Sequence, residues 1–227
     1  MALIVPVLLL LALLFGPGLW VRQVMKKYRQ PENRYPGTGA ELARLLLDAH
    51  GLKGVDVEET PAGDHYDPLE KTVRLSPDNF SGRSLTAITV AAHEVGHAVQ
   101  DHTGYTPLRL RTRLVRTIAP VERIGAGVLM LAPFIGGLTR APGIGIIMLL
   151  AGLATLASST AVHALTLPTE FNASFARALP MLDAHRILKD VDRPHARRLL
   201  TAAALTYVSA SLASLLNIAR WWAILRR

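Results

Sequence analysis

The sequence predicts a mainly α, polytopic helical membrane protein that carries a hydrophilic cytoplasmic domain with a small β-hairpin or sheet. Three observations predict it. Half of the 227 residues are hydrophobic and 19% are charged, and the mean hydropathy of +0.28 exceeds that of an ordinary soluble domain. The apolar residues gather into runs that approach the roughly 20 helical residues needed to cross a hydrocarbon core. Between the runs lies a mixed stretch of short alternating segments and turn residues, the pattern of a folded, water-facing unit.

The elements follow in chain order. Residues 1–21, with their apolar run Ala2 to Val21, read as a retained transmembrane anchor. Arg22, Lys26, Lys27 and Arg29 follow the run, whereas a secretory signal places its basic residues before it. Residues 22–116 form the candidate catalytic region and begin with a Pro- and Gly-containing linker, Gln30 to Gly39. Ala40 to His50 puts Leu42, Leu45, Leu46 and Leu47 on or near one helical face, with Gly51 suited to the carboxyl-terminal cap. Val55 to Glu58 and Lys71 to Leu75 alternate as short strands around a loop holding Pro61, Gly63, Asp64 and Pro68, which predicts a hairpin or ribbon. A longer helix is expected over 84–102.

Residues 117–168 read as a transmembrane helical hairpin, apolar from Ile124 to Leu138 and from Ile144 to Leu167, with a turn between and Pro168 as its stop. Residues 169–198 are a second cytoplasmic helical segment. Residues 199–227 form a last transmembrane helix and short tail, marked by the interfacial pair Trp221 and Trp222. Residues 22–116 hold 14 Lys and Arg and 169–198 hold six, so the positive-inside rule places both in the cytoplasm, at a bacterial plasma membrane.

Composition also excludes chemistries. The chain has no cysteine, so disulfides, thiolate nucleophiles and cysteine-ligated metal are ruled out. Its net charge of +8 lies beside apolar segments with few aromatics interleaved, which argues for membrane topology and against nucleic acid. The expected partners are the lipid bilayer and a peptide or protein substrate associated with it.

Chemistry concentrates at His93-Glu94-Val95-Gly96-His97. Ile88, Ala91, Val95 and Ala98 form one apolar stripe of the helix, and the histidines face away from it. Residues four apart are about 40° apart around a helix, so both imidazoles can share one tetrahedral cation, with one zinc ion the expected cofactor. Glu94, about 100° from His93, flanks the metal and is placed to serve as general base toward a zinc-activated water in peptide-bond hydrolysis. A catalytic zinc takes three protein ligands. Glu170, just past Pro168, is the preferred third, with His163, His102 and Asp67 as alternatives. His65, Tyr66, Tyr105 and His185 are candidate donors to the peptide oxyanion. The strand Lys71 to Ser76 is a candidate open edge for an extended substrate. The competing class is a non-enzymatic membrane protein with a structural zinc site or a scaffold role, in which Glu94 would be dispensable.

Two segments, ITVAAHEVGHAVQ (Ile88 to Gln100) and LPTEFNAS (Leu167 to Ser174), resemble the YugP-type membrane zinc metallopeptidases. The resemblance extends to DHYDP at Asp64 to Pro68, KTVRLS at Lys71 to Ser76 and AAALTYV at Ala202 to Val208. It implies a zincin-like, gluzincin-type membrane endopeptidase with His93, His97 and Glu170 on the zinc, Glu94 as base, and a role in membrane-protein quality control. The related HtpX-type proteases usually place an Asp four residues after the ligating Glu, where this chain has Ser174. Orientation of a ligating histidine therefore passes to Asn172, to Ser174 or to an unrelated residue.

Overall fold

The computed structural model describes residues 4–117, 147, 150 and 166–206. Helix α1 (Ile4–Lys27) closes with Lys26 and Lys27, cations that complement the carboxyl end of the helix dipole. Its last turns bury Val21 and Val24, followed by buried Tyr28, and pack against α6 (Arg193–Ala204). Helix α2 (Gly39–Ala49) opens on a capping box in which the Thr38 side chain accepts from the Glu41 amide and the Glu41 carboxylate accepts from the Thr38 amide. Leu42, Leu46 and Leu47 are buried on its inner face, while Leu45 is 47% exposed. Past its end Gly51 takes φ +73°, a left-handed turn residue that glycine adopts without a Cβ penalty.

The sheet differs from the expected hairpin. Three strands, β1 (Asp56–Glu59), β2 (His65–Asp67) and β3 (Thr72–Leu75), lie in the order β1-β3-β2. β3 pairs in parallel with β1 and antiparallel with β2. The central position suits β3, whose Val73 and Leu75 are fully buried. β2 escapes sequence reading because His-Tyr-Asp carries no apolar alternation. The expected open edge at Lys71 to Ser76 is thereby corrected: β3 is paired on both sides, and β2 is a sheet edge.

A short helix α3 (Pro77–Phe80) leads to α4 (Leu85–His102), whose amino end is capped by the Ser84 hydroxyl accepting from the Ala87 amide. Every α4 residue from Leu85 to Gln100 is buried. It is the central helix, packed against α2, the sheet, α6 and the segment after 166, and its His93 and His97 are buried. Residues 106–117 are helical, as are 166–171, so Pro168 lies inside a helical stretch where a helix stop was expected. A π-helical segment, Asn172–Ala178, continues into α5 (Leu179–Ala184), and a 3-10 turn at Asp190–Asp192 precedes α6.

Among the described residues no helix is long and apolar enough to cross a membrane. This overturns the polytopic membrane architecture expected from composition and leaves a mainly helical fold with a small sheet. The physical reason is visible at two of the expected spans. Val21 at the end of the first, and Leu199, Leu200, Ala202, Ala203 and Ala204 of the last, are buried in the protein's own core. Apolar runs serve a core helix as well as a lipid-facing one. The expected hairpin over 117–168 lies almost wholly outside the described residues, as does the chain from 207 onward.

Candidate metal centre

Helix α4 supplies two imidazoles, and the chain from 169 to 174 is laid against them. Gly96 permits the approach: a Cβ built there would sit 2.7 Å from the Ala173 carbonyl oxygen, closer than real Cβ contacts allow. The neighbouring backbone thus rests on the gap between His93 and His97. The Oε2 of Glu170 lies 3.2 Å from the Nε2 of His93 and 3.2 Å from the Nε2 of His97. All three side chains are buried, at 4%, 5% and 1% exposure, which removes the reading of solvated surface histidines. Among the described residues they are the one group of three or more His and acidic side chains whose donor atoms fall within 4.8 Å of one another.

The outer nitrogens of both rings are fixed. The Ser174 hydroxyl donates to the Leu200 carbonyl at 3.1 Å, so its lone pair faces the His93 Nδ1 at 3.0 Å and accepts that proton. The Gln100 amide nitrogen donates to the Thr169 carbonyl and to Asn172 Oδ1, both at 2.9 Å, which turns its oxygen toward the His97 Nδ1 at 2.9 Å. Each imidazole therefore carries its proton on Nδ1 and presents a bare Nε2 lone pair inward, the tautomer a metal requires. Ligands about 2.0–2.1 Å from a tetrahedral zinc are roughly 3.3 Å apart, close to the spacing of the carboxylate oxygen from each nitrogen. Two nitrogens and one oxygen form a donor set that fits zinc. The π winding serves this arrangement, with the Leu179 amide bonding back to the Ser174 carbonyl five residues earlier. One short segment thereby holds His93 at both ring ends, Glu170 at Nε2 and Ser174 at Nδ1.

Electrostatics separate the two glutamates. Burial alone would raise the Glu170 carboxyl, but whenever the two imidazoles carry a proton on Nε2 in place of a metal, the His97 charge and their hydrogen bonds outweigh it and hold its pKa below the carboxylate range. Glu94 is pushed up to about 7, chiefly by burial, against the pull of His93 and with help from the Glu170 and Asp64 charges. Asp64 is itself held by the Ser76 amide and hydroxyl and by the Asn79 amide. These groups open onto a cavity of about 780 Å³ whose walls include Met25 of α1, His65 and Tyr66 of β2, and Ala203 of α6.

The remaining candidates fall elsewhere. Tyr66 lines the cavity, but its hydroxyl is committed to Asp101 at 2.7 Å. His65 lines it too and holds the Gly63 carbonyl through Nδ1 at 2.8 Å. Asn172 reaches His97 only through Gln100. Asp67 is engaged by Arg74 and the amides of Leu69 and Glu70, and His102 is exposed at the helix end. Tyr105 does not line the cavity, and His185 is exposed at the end of α5. His163 lies outside the described residues. Two site residues escaped sequence reading. Gln100 is three positions after His97, on the same helical face, and that spacing could have pointed to it. Arg111, whose Nη1 is 2.9 Å from Glu170 Oε1, gave no signal beyond its charge.

Comparison with known proteins agrees with the site. A family model described as "Putative neutral zinc metallopeptidase" matches residues 2–226. The "Putative membrane protease YugP" of Bacillus subtilis (strain 168) is 40% identical over 215 residues, covering 93% of this chain and 91% of that protein. No solved structure matches the chain.

Proposed function

The chain belongs to this family of neutral zinc metallopeptidases, and from that premise we propose that it is a zinc-dependent endopeptidase acting on extended segments of proteins. The observation that carries the reading is the buried His93–His97–Glu170 donor set, with the Glu94 carboxyl beside it and a cavity of about 780 Å³ opening on all four. A structural zinc site is closed, whereas a catalytic one keeps a coordination position facing substrate. Zinc bound there supplies a water of near-neutral pKa and polarises a carbonyl oxygen. Glu94 accepts the proton of the attacking water and returns it to the leaving amide nitrogen, a task suited to a carboxyl raised toward neutrality. An extended peptide would pair with the β2 edge, whose His65 and Tyr66 line the same cavity. Tyr66, bonded to Asp101, is better suited to shaping that wall than to stabilising an oxyanion. The relative named a membrane protease supports membrane-associated proteins as the substrate class, and quality control of such proteins is the role we propose for their cleavage.

Glu94→Gln tests the reading on casein or a quenched peptide. Bound zinc should persist while cleavage falls by a factor on the order of 10²–10⁴, the usual worth of a general base. Undiminished cleavage would leave the zinc in a structural or scaffolding role.

A further inference from the structure

We propose that Arg111 is a positioning residue of the metal centre, holding one oxygen of Glu170 so that the other faces the two imidazoles. The inference rests on the reading of His93, His97 and Glu170 as the zinc ligands. The Glu170 carboxylate is divided: Oε2 lies 3.2 Å from both Nε2 atoms, while Oε1 lies 2.9 Å from Arg111 Nη1. A carboxylate rotates freely between one- and two-oxygen contacts unless a partner claims one oxygen. Here the partner is a permanent cation, since a guanidinium does not deprotonate in proteins.

The geometry gives Arg111 a second reason to be where it is. Its side chain is 17% exposed, and it reaches the site from the helical stretch 106–117, outside both segments that carry the ligands. It lines the main cavity and also a smaller one of about 280 Å³, walled by Leu69, Leu108 and Val115 and sharing Tyr66 and His97. Arg111 thus stands between two spaces, where its loss would disturb the carboxylate and the cavity wall together. Histidine ligands here have hydrogen-bonding supports in Ser174 and Gln100; Arg111 supplies the equivalent for the glutamate. Outer supports of this kind typically carry a 10–100-fold effect on metal affinity.

The test measures zinc affinity of the purified full chain by competition with a chromophoric chelator, needing no peptide substrate. Arg111→Ala should weaken zinc binding about tenfold or more, and Arg111→Lys, which keeps charge and a donor, should recover most of it. Should Arg111→Ala not fold, Arg111→Met against Arg111→Lys makes the same comparison with side chains of similar length. Wild-type zinc affinity in a folded Ala or Met variant, or equal losses for Lys and Met, would overturn the proposal. Failure of the peptidase reading appears differently, as intact zinc binding with no cleavage by the wild-type chain.

Discussion

The Ser174 hydroxyl accepts from His93 Nδ1 while donating to the Leu200 carbonyl. A hydroxyl is neutral, so it fixes the ring tautomer without adding charge beside the ligand. Ser174→Ala should leave the fold within about 1 kcal/mol of wild type, the net worth of one hydrogen bond. It should nevertheless weaken zinc binding by roughly 10-fold, because His93 can then rotate and change tautomer. Chelator competition together with urea unfolding separates the two effects. At this scale the sequence was legible where helix geometry alone sets the outcome. Positions 93 and 97 share a face at any depth of burial, and Glu170 does meet them. Gln100 was passed over although its three-residue spacing from His97 is local, whereas the contact of Arg111 depends on how separate segments pack, which no local spacing records.

Element by element, legibility followed how local the cause was. α2 declared itself through the period of its leucines and through Gly51 just past its end, while its capping box of Thr38 and Glu41 begins inside what reads as linker. The polar tripeptide of β2 and the parallel pairing of β1 with β3 are set by tertiary neighbours, so alternation suggested a hairpin. Another tertiary tie joins the linker after α1 to the start of α6. Asp192 is fully buried and accepts from Arg34 and from the Tyr35 hydroxyl, the latter at 2.7 Å. Burial pushes its pKa up, but those hydrogen bonds prevail and hold it below the ordinary value. A carboxyl depressed in the folded state contributes stability above its unfolded pKa, about 3.9, and loses it as pH falls through the folded value. Asp192→Asn should therefore cost about 3 kcal/mol near neutral pH by leaving Arg34 without its charge partner. The gap from wild type should narrow steadily below about pH 4. Urea midpoints across pH check this, and a gap independent of pH would remove the ionic account.

For the whole molecule, composition spoke for membrane spans and the described fold answers with a buried central helix. The apolar run of α6 packs against α4, with α1 packed against α6 in turn, and a residue such as Leu200 reads the same in sequence whether it meets lipid or another helix. What the fold achieves is convergence: residues more than seventy positions apart bring one carboxylate to two imidazoles, each already holding its proton on the outer nitrogen. A metal bound there joins α4 to the segment after 166, so binding energy also stabilises the native arrangement. The most direct test is the zinc content of the purified chain, by elemental mass spectrometry, before and after Glu170→Ala. We predict about one zinc per chain in the wild type, the stoichiometry of a single three-ligand site, and a large loss in the variant. Full zinc occupancy in a folded Glu170→Ala protein, or none in the wild type after growth with zinc, would contradict the account.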